Sequence, residues 1–277
     1  MSEPRSNALD LITFCESAGR STGNFLAALS EYEPGSDQWK TYLKSACNSE
    51  NNLIQIVAFE EIGKSSDADW LPFLSEWLQP ETFPTTLVAV INAMGALGGI
   101  QSRDDFATFI ESADRNLRGA AINIHYYLPH DEAIDLLLSI LYHDPDPDLR
   151  HRAALRLANL HSDAGLPLLL EGMHRENLFG KLTNACALAI LNHPRGLHFL
   201  HDLIATHHTL SKLDRTRLLF HICGLGDQVG FELPPCDRPE DLPVETIFQN
   251  ASDWIEGCSG FQKVVSMDSG NHITEFI

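Results

Sequence analysis

The chain has 277 residues, 44% hydrophobic and 21% charged, an ordinary globular composition with enough length for one extended domain or two compact ones. Its 38 acidic residues outnumber 19 basic ones, for a net charge of −19. That surplus repels phosphate backbones and anionic lipid, so nucleic acid and membrane are set aside and a basic protein partner is favoured.

Met1 to Asp10 lack the basic-then-apolar pattern of a secretory signal, and no apolar run is long enough to span a bilayer. Six cysteines (Cys15, Cys47, Cys186, Cys223, Cys236 and Cys258) form no CxxC pair, and several sit inside apolar helical runs. They read as small core residues in a reducing compartment, so a cytoplasmic protein is expected.

In chain order, residues 6–31 read as one or two capping helices, placing an N-terminal cap at 1–36. From residue 37 the sequence resembles itself. The segments Leu117–Leu128 and Leu149–Leu160 share Leu, Arg, Ala and Leu at the same four offsets. Similar helices start near Leu53, Val88 and Gly180, at the spacing of about 29 to 35 residues typical of helix-pair repeats. A different helix alternates with these, marked by an early proline in Leu71-Pro72, Leu166-Pro167 and Pro194, where the first-turn amides lack intrahelical acceptors anyway. Polar stops such as Ser65-Ser66-Asp67 and Ser162-Asp163 precede it as N-caps.

Apolar spacing is helical in both types. Ile134, Leu137, Leu138 and Leu141 follow the i, i+3, i+4, i+7 rule, and Leu149, Ala153, Leu157 and Leu160 recur at helical spacing. Small residues, among them Ala93, Gly95, Ala120, Ala153, Ala154 and Ala185, recur in the non-proline type and let neighbours approach closely. No single pair buries its apolar face alone, so the stack is the stable unit.

After Gly226 the pattern breaks. Leu233-Pro234-Pro235 and 237–243 read as a rigid connector, followed by a short helix with Val244, Ile247, Phe248, Ala251 and Ile255 on one side. The tail from Phe261 to Ile277 reads as a β-hairpin around Ser269-Gly270-Asn271.

The stretch Asp131–Leu160, with its Leu-Leu, then Asp144-Pro145-Asp146, then Leu149-Arg150 and Ala153-Ala154, resembles the short HEAT-like repeat of phycobilin lyases. The resemblance runs over Asp37–Gly226. It implies an all-α fold, a right-handed α-α superhelix or HEAT-like solenoid over 37–227. A C-terminal cap at 228–277, of connector, short helix and hairpin, completes the expected domains.

Candidate chemistry is sparse. His198, His201 and His208, with Asp202, are placed on one helix face and offer a metal set, or simply a polar face. HEAT-repeat deoxyhypusine hydroxylases, which resemble this chain in architecture, hold iron with His-Glu pairs; here the matching pair is His151-Arg152, and a guanidinium beside a dication is repulsive. Gly224 to Gly230 is a near miss of a dinucleotide loop that follows a helix rather than a strand, and so reads as a helix stop. Arg150, Arg152, Arg156 and Lys181 are expected to pair with the acidic turn Asp144, Asp146 and Asp148.

The resulting expectation is a non-enzymatic scaffold or inhibitor that binds a basic protein through an acidic concave surface; an immunity protein neutralising a basic toxin is one version. Glu60, Glu61, Asn92, Asn123, Tyr127, Arg152, Arg156 and Asn159 are the expected contacts, with Tyr127 the anchor. No catalytic residue, metal or cofactor is assigned. A tetrapyrrole- or metal-handling lyase-like enzyme and a nucleic-acid-binding solenoid remain as alternatives.

Overall fold

The structure, a computed structural model, describes residues 22–174, 177–234 and 243–262. Its regular structure is helical, and no strand occurs among the described residues. The chain divides into two compact units, residues 1–136 and 137–277.

The first unit holds helical residues 22–29 (α1), then Asp37–Cys47 (α2), Asn52–Lys64 (α3), Leu71–Ser75 (α4), Pro84–Ala96 (α5), Ala107–Ile110 (α6) and Arg115–Ala121 (α7). Helix α8, His130–His143, contains the unit boundary. Helix α5 lies between α3 and α7. Its sequence is apolar nearly all round, and Leu87, Val90, Ile91, Ala93 and Met94 are buried because both flanks are covered. Small residues set the spacing: a Cβ added to Gly63 would lie 3.1 Å from Ala93 Cα.

The second unit continues with Pro147–Asn159 (α9), Leu166–Gly172 (α10), Leu178–Ile190 (α11), Pro194–Ala205 (α12), Lys212–Val229 (α13) and Val244–Gly257 (α14). Here α11 lies between α9 and α13, with α10 and α12 also packed on it, and α14 covers α12 and α13. The early prolines stand in the first turns of α4, α10 and α12, as expected. Ile247, Phe248, Ala251 and Ile255 form the buried stripe of α14.

An early proline does not separate the two helix types, since α5 and α9 start on Pro84 and Pro147, but one turn recurs before three of the inner helices, α3, α7 and α9. At Asp144-Pro145-Asp146, the Asp144 carboxylate accepts from Asp146 N–H at 2.8 Å, and Asp146 Oδ1 accepts from the N–H groups of Asp148 and Leu149. Arg150 then reaches back, its Nη1 donating to the Asp144 and Pro145 carbonyls at 2.8 and 3.3 Å. Ser112, Asp114 and Arg118 repeat the arrangement. Ser49, Asn51 and Gln55 repeat it with neutral residues, Gln55 Nε2 donating to Ser49 O at 2.8 Å. Arg150 therefore satisfies backbone carbonyls rather than pairing with the turn's carboxylates, correcting the expectation for that residue.

The far ends of α5, α9 and α11 also share one arrangement. Gly98, His161 and Asn192 have φ of 74°, 59° and 55°, and the following N–H donates five residues back, to Met94, Leu157 and Leu188. These are Schellman stops, two of them built on residues that carry a Cβ. The near-miss dinucleotide stretch is instead the end of α13, closed at Gly230 with φ 80° and a 2.8 Å bond to Gly226 O.

Two expectations shift in register. In α8 the buried stripe is Ala133, Leu136, Leu137, Ile140 and Leu141, leaving Ile134 and Leu138 at its edge. Helix α7 stops at Ala121 and tightens into a 3₁₀ turn over Ile122–Tyr126. Asn123 and His125 there bond the carbonyls three residues back, and Pro129 ahead disfavours further α-helix at Leu128. Of the expected tail hairpin, Phe261 and Gln262 are helical, and residues 263–277 lie outside the described residues.

Two substitutions in the second unit should move stability in opposite directions. A Cβ on Gly165 would lie 2.5 Å from Ala154 Cβ, so Gly165→Ala should lower the urea-unfolding free energy by about 1–3 kcal/mol. His161→Gly removes a left-handed residue with a side chain and should raise it by up to ~1 kcal/mol.

Candidate functional site

In the first unit, the side of the row left uncovered by neighbouring helices is a set of stripes. On α5 it is Thr85, Val88, Asn92 and Ala96; on α3 it includes Ile56, Glu60 and Lys64. Glu60 is exposed, while Glu61 is bound to Lys64 at 2.7 Å. Tyr127 crosses onto α5: its Oη donates to Asn92 O at 3.1 Å, and its ring occupies the space where a Cβ on Gly95 would sit. Burial raises the Tyr127 phenol above its ordinary value, with the neighbouring Tyr126 adding to the effect. The tyrosine is thus a half-buried brace as well as a surface group. Asn123 is not on the surface; it is 5% exposed, its Nδ2 held by Ala120 O in the tightened turn.

In the second unit Arg152, Arg156 and Asn159 are half-buried on α9. Beside them, α11 presents Phe179, Thr183, Cys186 and Ile190 at helical spacing, and α13 presents Phe220. Phe179 is 51% exposed and Phe220 72%, and neither was anticipated from sequence. The available signal was an aromatic residue on a non-proline helix at a phase outside its Ala/Leu core stripe. The His221 ring lies edge-on to both, at 5.0 Å from Phe179 and 5.8 Å from Phe220. It is fixed by Thr183 Oγ1 at 3.1 Å from Nε2 and by Nδ1 bonding Arg217 O at 2.8 Å. Burial holds this imidazole below its usual range against the opposing pull of the Arg217 carbonyl.

The expected histidine set does not assemble. His198 and His201 are on α12, but His208 lies past its end in a 3₁₀ turn, since α12 stops at Ala205. His198 and His201 pack on the ring of Phe261, at 4.4 and 4.9 Å, and His201 Nε2 is 3.3 Å from Glu256. No group of three or more metal-ligating side chains occurs among the described residues. The described cysteines are unpaired, and burial pushes the Cys47 and Cys186 thiols up to about 12, away from thiolate chemistry. A cleft of about 250 Å³ between α9 and α10 brings Arg150, His151 and Glu171 to its walls. No described helix is long and apolar enough to cross a membrane.

Residues 103–190, spanning α6 to α11, match the family model of HEAT repeats. The chain is a HEAT-like repeat protein. The matched stretch contains two of the three clamped turns, at Asp114 and Asp146. HEAT repeats generally mediate contacts between proteins. No curated protein matches the chain.

Among the described residues, three imidazoles are held low by burial: His193, with Arg195 adding to the effect; His207, with Arg215 and His208 adding to it against Glu245; and His221. A lowered value favours the neutral ring in the fold. Their contribution to stability is therefore present above the ordinary 6.5 and lost as pH falls through the lowered values. Urea midpoints measured at successive pH values below 7 should fall less steeply in His221→Gln than in the native chain.

Proposed function

We propose that this HEAT-like protein is a non-enzymatic scaffold or inhibitor that binds another protein through the exposed stripes of its inner helices, first of all α3 and α5. The observation that carries this reading is the stripe of the first unit, where Val88, Asn92 and Tyr127 combine aliphatic, amide and phenol groups on a rigid helical row. Tyrosine and aliphatic anchors ringed by polar groups are the composition that protein interfaces use. The reading also accords with the general role of HEAT repeats.

For this unit the favoured partner is basic. Glu60 projects from α3 beside the stripe, and the chain as a whole carries −19 charges. An immunity protein that masks a basic toxin or nuclease is the most specific form of the proposal, and a cytoplasmic setting goes with it. Acidity weighs against nucleic acid and anionic membrane as the principal ligands.

The test is affinity capture from the native host with the wild-type chain and with Val88→Glu and Glu60→Lys variants of unchanged thermal stability. A partner bound through this stripe should be retained by wild type and weakened about 30-fold by Val88→Glu, the loss typical of an interface anchor. Glu60→Lys should lower the association rate and its salt dependence. Partners held equally by all three proteins would contradict the assignment.

A further inference from the structure

Helix α14 covers α12 and α13, and its first turn meets an imidazole. The 3₁₀ turn His207–Thr209, between α12 and α13, places the His207 ring edge-on to Phe248 at 4.7 Å, with Nε2 3.3 Å from Glu245 Oε2. Glu245 is shared, since its other oxygen takes the Arg215 guanidinium of α13 at 2.6 Å. No side-chain hydrogen bond caps this helix start, so Glu245 is its polar tether. The His207 side chain is only 14% exposed, and its Nδ1 is buried with no hydrogen-bond partner among the described residues. This arrangement accommodates one ring proton and not two. The neutral ring donates Nε2–H to Glu245 and leaves a lone pair on Nδ1, whereas a second proton makes Nδ1 a buried donor without an acceptor.

We propose that His207 makes the start of α14 an acid-released latch: the neutral ring holds its first turns against α12 and α13, and protonation opens them while the rest of the unit stays folded. The groups around the ring decide the sign. Burial opposes the cation most, and Arg215 of α13 and His208 of the same turn oppose it too; Glu245 of α14 favours it, and the balance holds the ring below its ordinary 6.5. The latch is therefore closed above that ordinary value and loosens as pH falls through the lowered one. The far end of α14 differs. His201 Nε2 is 3.3 Å from Glu256 and its Nδ1 3.9 Å from Asp202, so a cationic ring there faces a carboxylate on each nitrogen. Acid then loosens the start of the helix rather than its end. Opening uncovers Ile247 and Phe248, both buried in the closed state. The device lies wholly in the second unit and stands or falls independently of the first-unit stripe.

The test is hydrogen exchange of the full chain, read as protection factors at about pH 7 and pH 5, the range in which imidazoles change charge. Protection of the Ile247 and Phe248 amides should fall at least ~3-fold more across that range than protection of Ala185 and Leu188 in α11, which report unfolding of the whole unit. His207→Gln keeps a donor for Glu245 but cannot titrate, and His207→Phe fills the same space against Phe248; both should abolish the difference. Glu245→Gln removes the one charge that favours the cation, so the acid response should persist or grow. Each variant is compared with its own protection at the higher pH, so a uniform loss of stability does not enter the result. An equal fall in both helices, no fall, or a response retained in either non-titrating variant overturns the proposal. A response lost in Glu245→Gln overturns it in favour of the carboxylate as the titrating group.

Discussion

The structure depends on one constraint: its inner helices are apolar on too many sides to stand alone. Helices α5 and α11 bury residues around most of their circumference, so each needs a neighbour on both flanks. At 13 residues each they are near the length at which an isolated helix is marginal in water. Covering a Leu, Ile or Val side chain contributes roughly 1.5–3 kcal/mol, far more than the few tenths that separate helix propensities. Side-to-side burial therefore decides that the helices form, and the alanines and glycines at their contacts decide how closely they sit.

Burial alone leaves the register of each pair open, and the turns supply it. The Asp or Asn cap fixes where a helix begins, and the residue four places on reaches back to hold the turn's carbonyls. At the far ends of α5, α9 and α11 a left-handed residue stops the helix, and after α9 and α11 the chain enters a proline-started helix. His161 and Asn192 accept that conformation despite their Cβ atoms, which shows that the bonds to Leu157 and Leu188 outweigh its cost. The exposed stripes follow from the same geometry. Once both flanks and the packed partner helix are covered, only a narrow face of each inner helix meets solvent.

Much of this was legible in the sequence because it rests on spacing. The Leu-Pro starts, the Ala-rich repeats and the Asp144-Pro145-Asp146 turn all mark local backbone states, and each stands where spacing placed it. Features set by three-dimensional context were not legible. Arg150 sits beside three carboxylates in sequence, yet its guanidinium goes to carbonyls, because the helical start turns it back over the turn. Asn123 reads as exposed on an ideal helix and is buried because Pro129 and two side-chain bonds tighten that stretch. His208 looked continuous with His198 until α12 ended at Ala205. Net charge, a sum over the chain, carried no information about where the basic residues gather.

Hydrogen exchange of α11 is the most direct measurement of the central constraint. If α9 and α13 are what hold it, the amides of Ala185, Ala187, Leu188 and Ala189 should exchange only when the second unit unfolds as a whole, with the same denaturant dependence as global unfolding. Exchange of those amides through a local opening, at a free energy below that of the outer helix α14, would contradict the account.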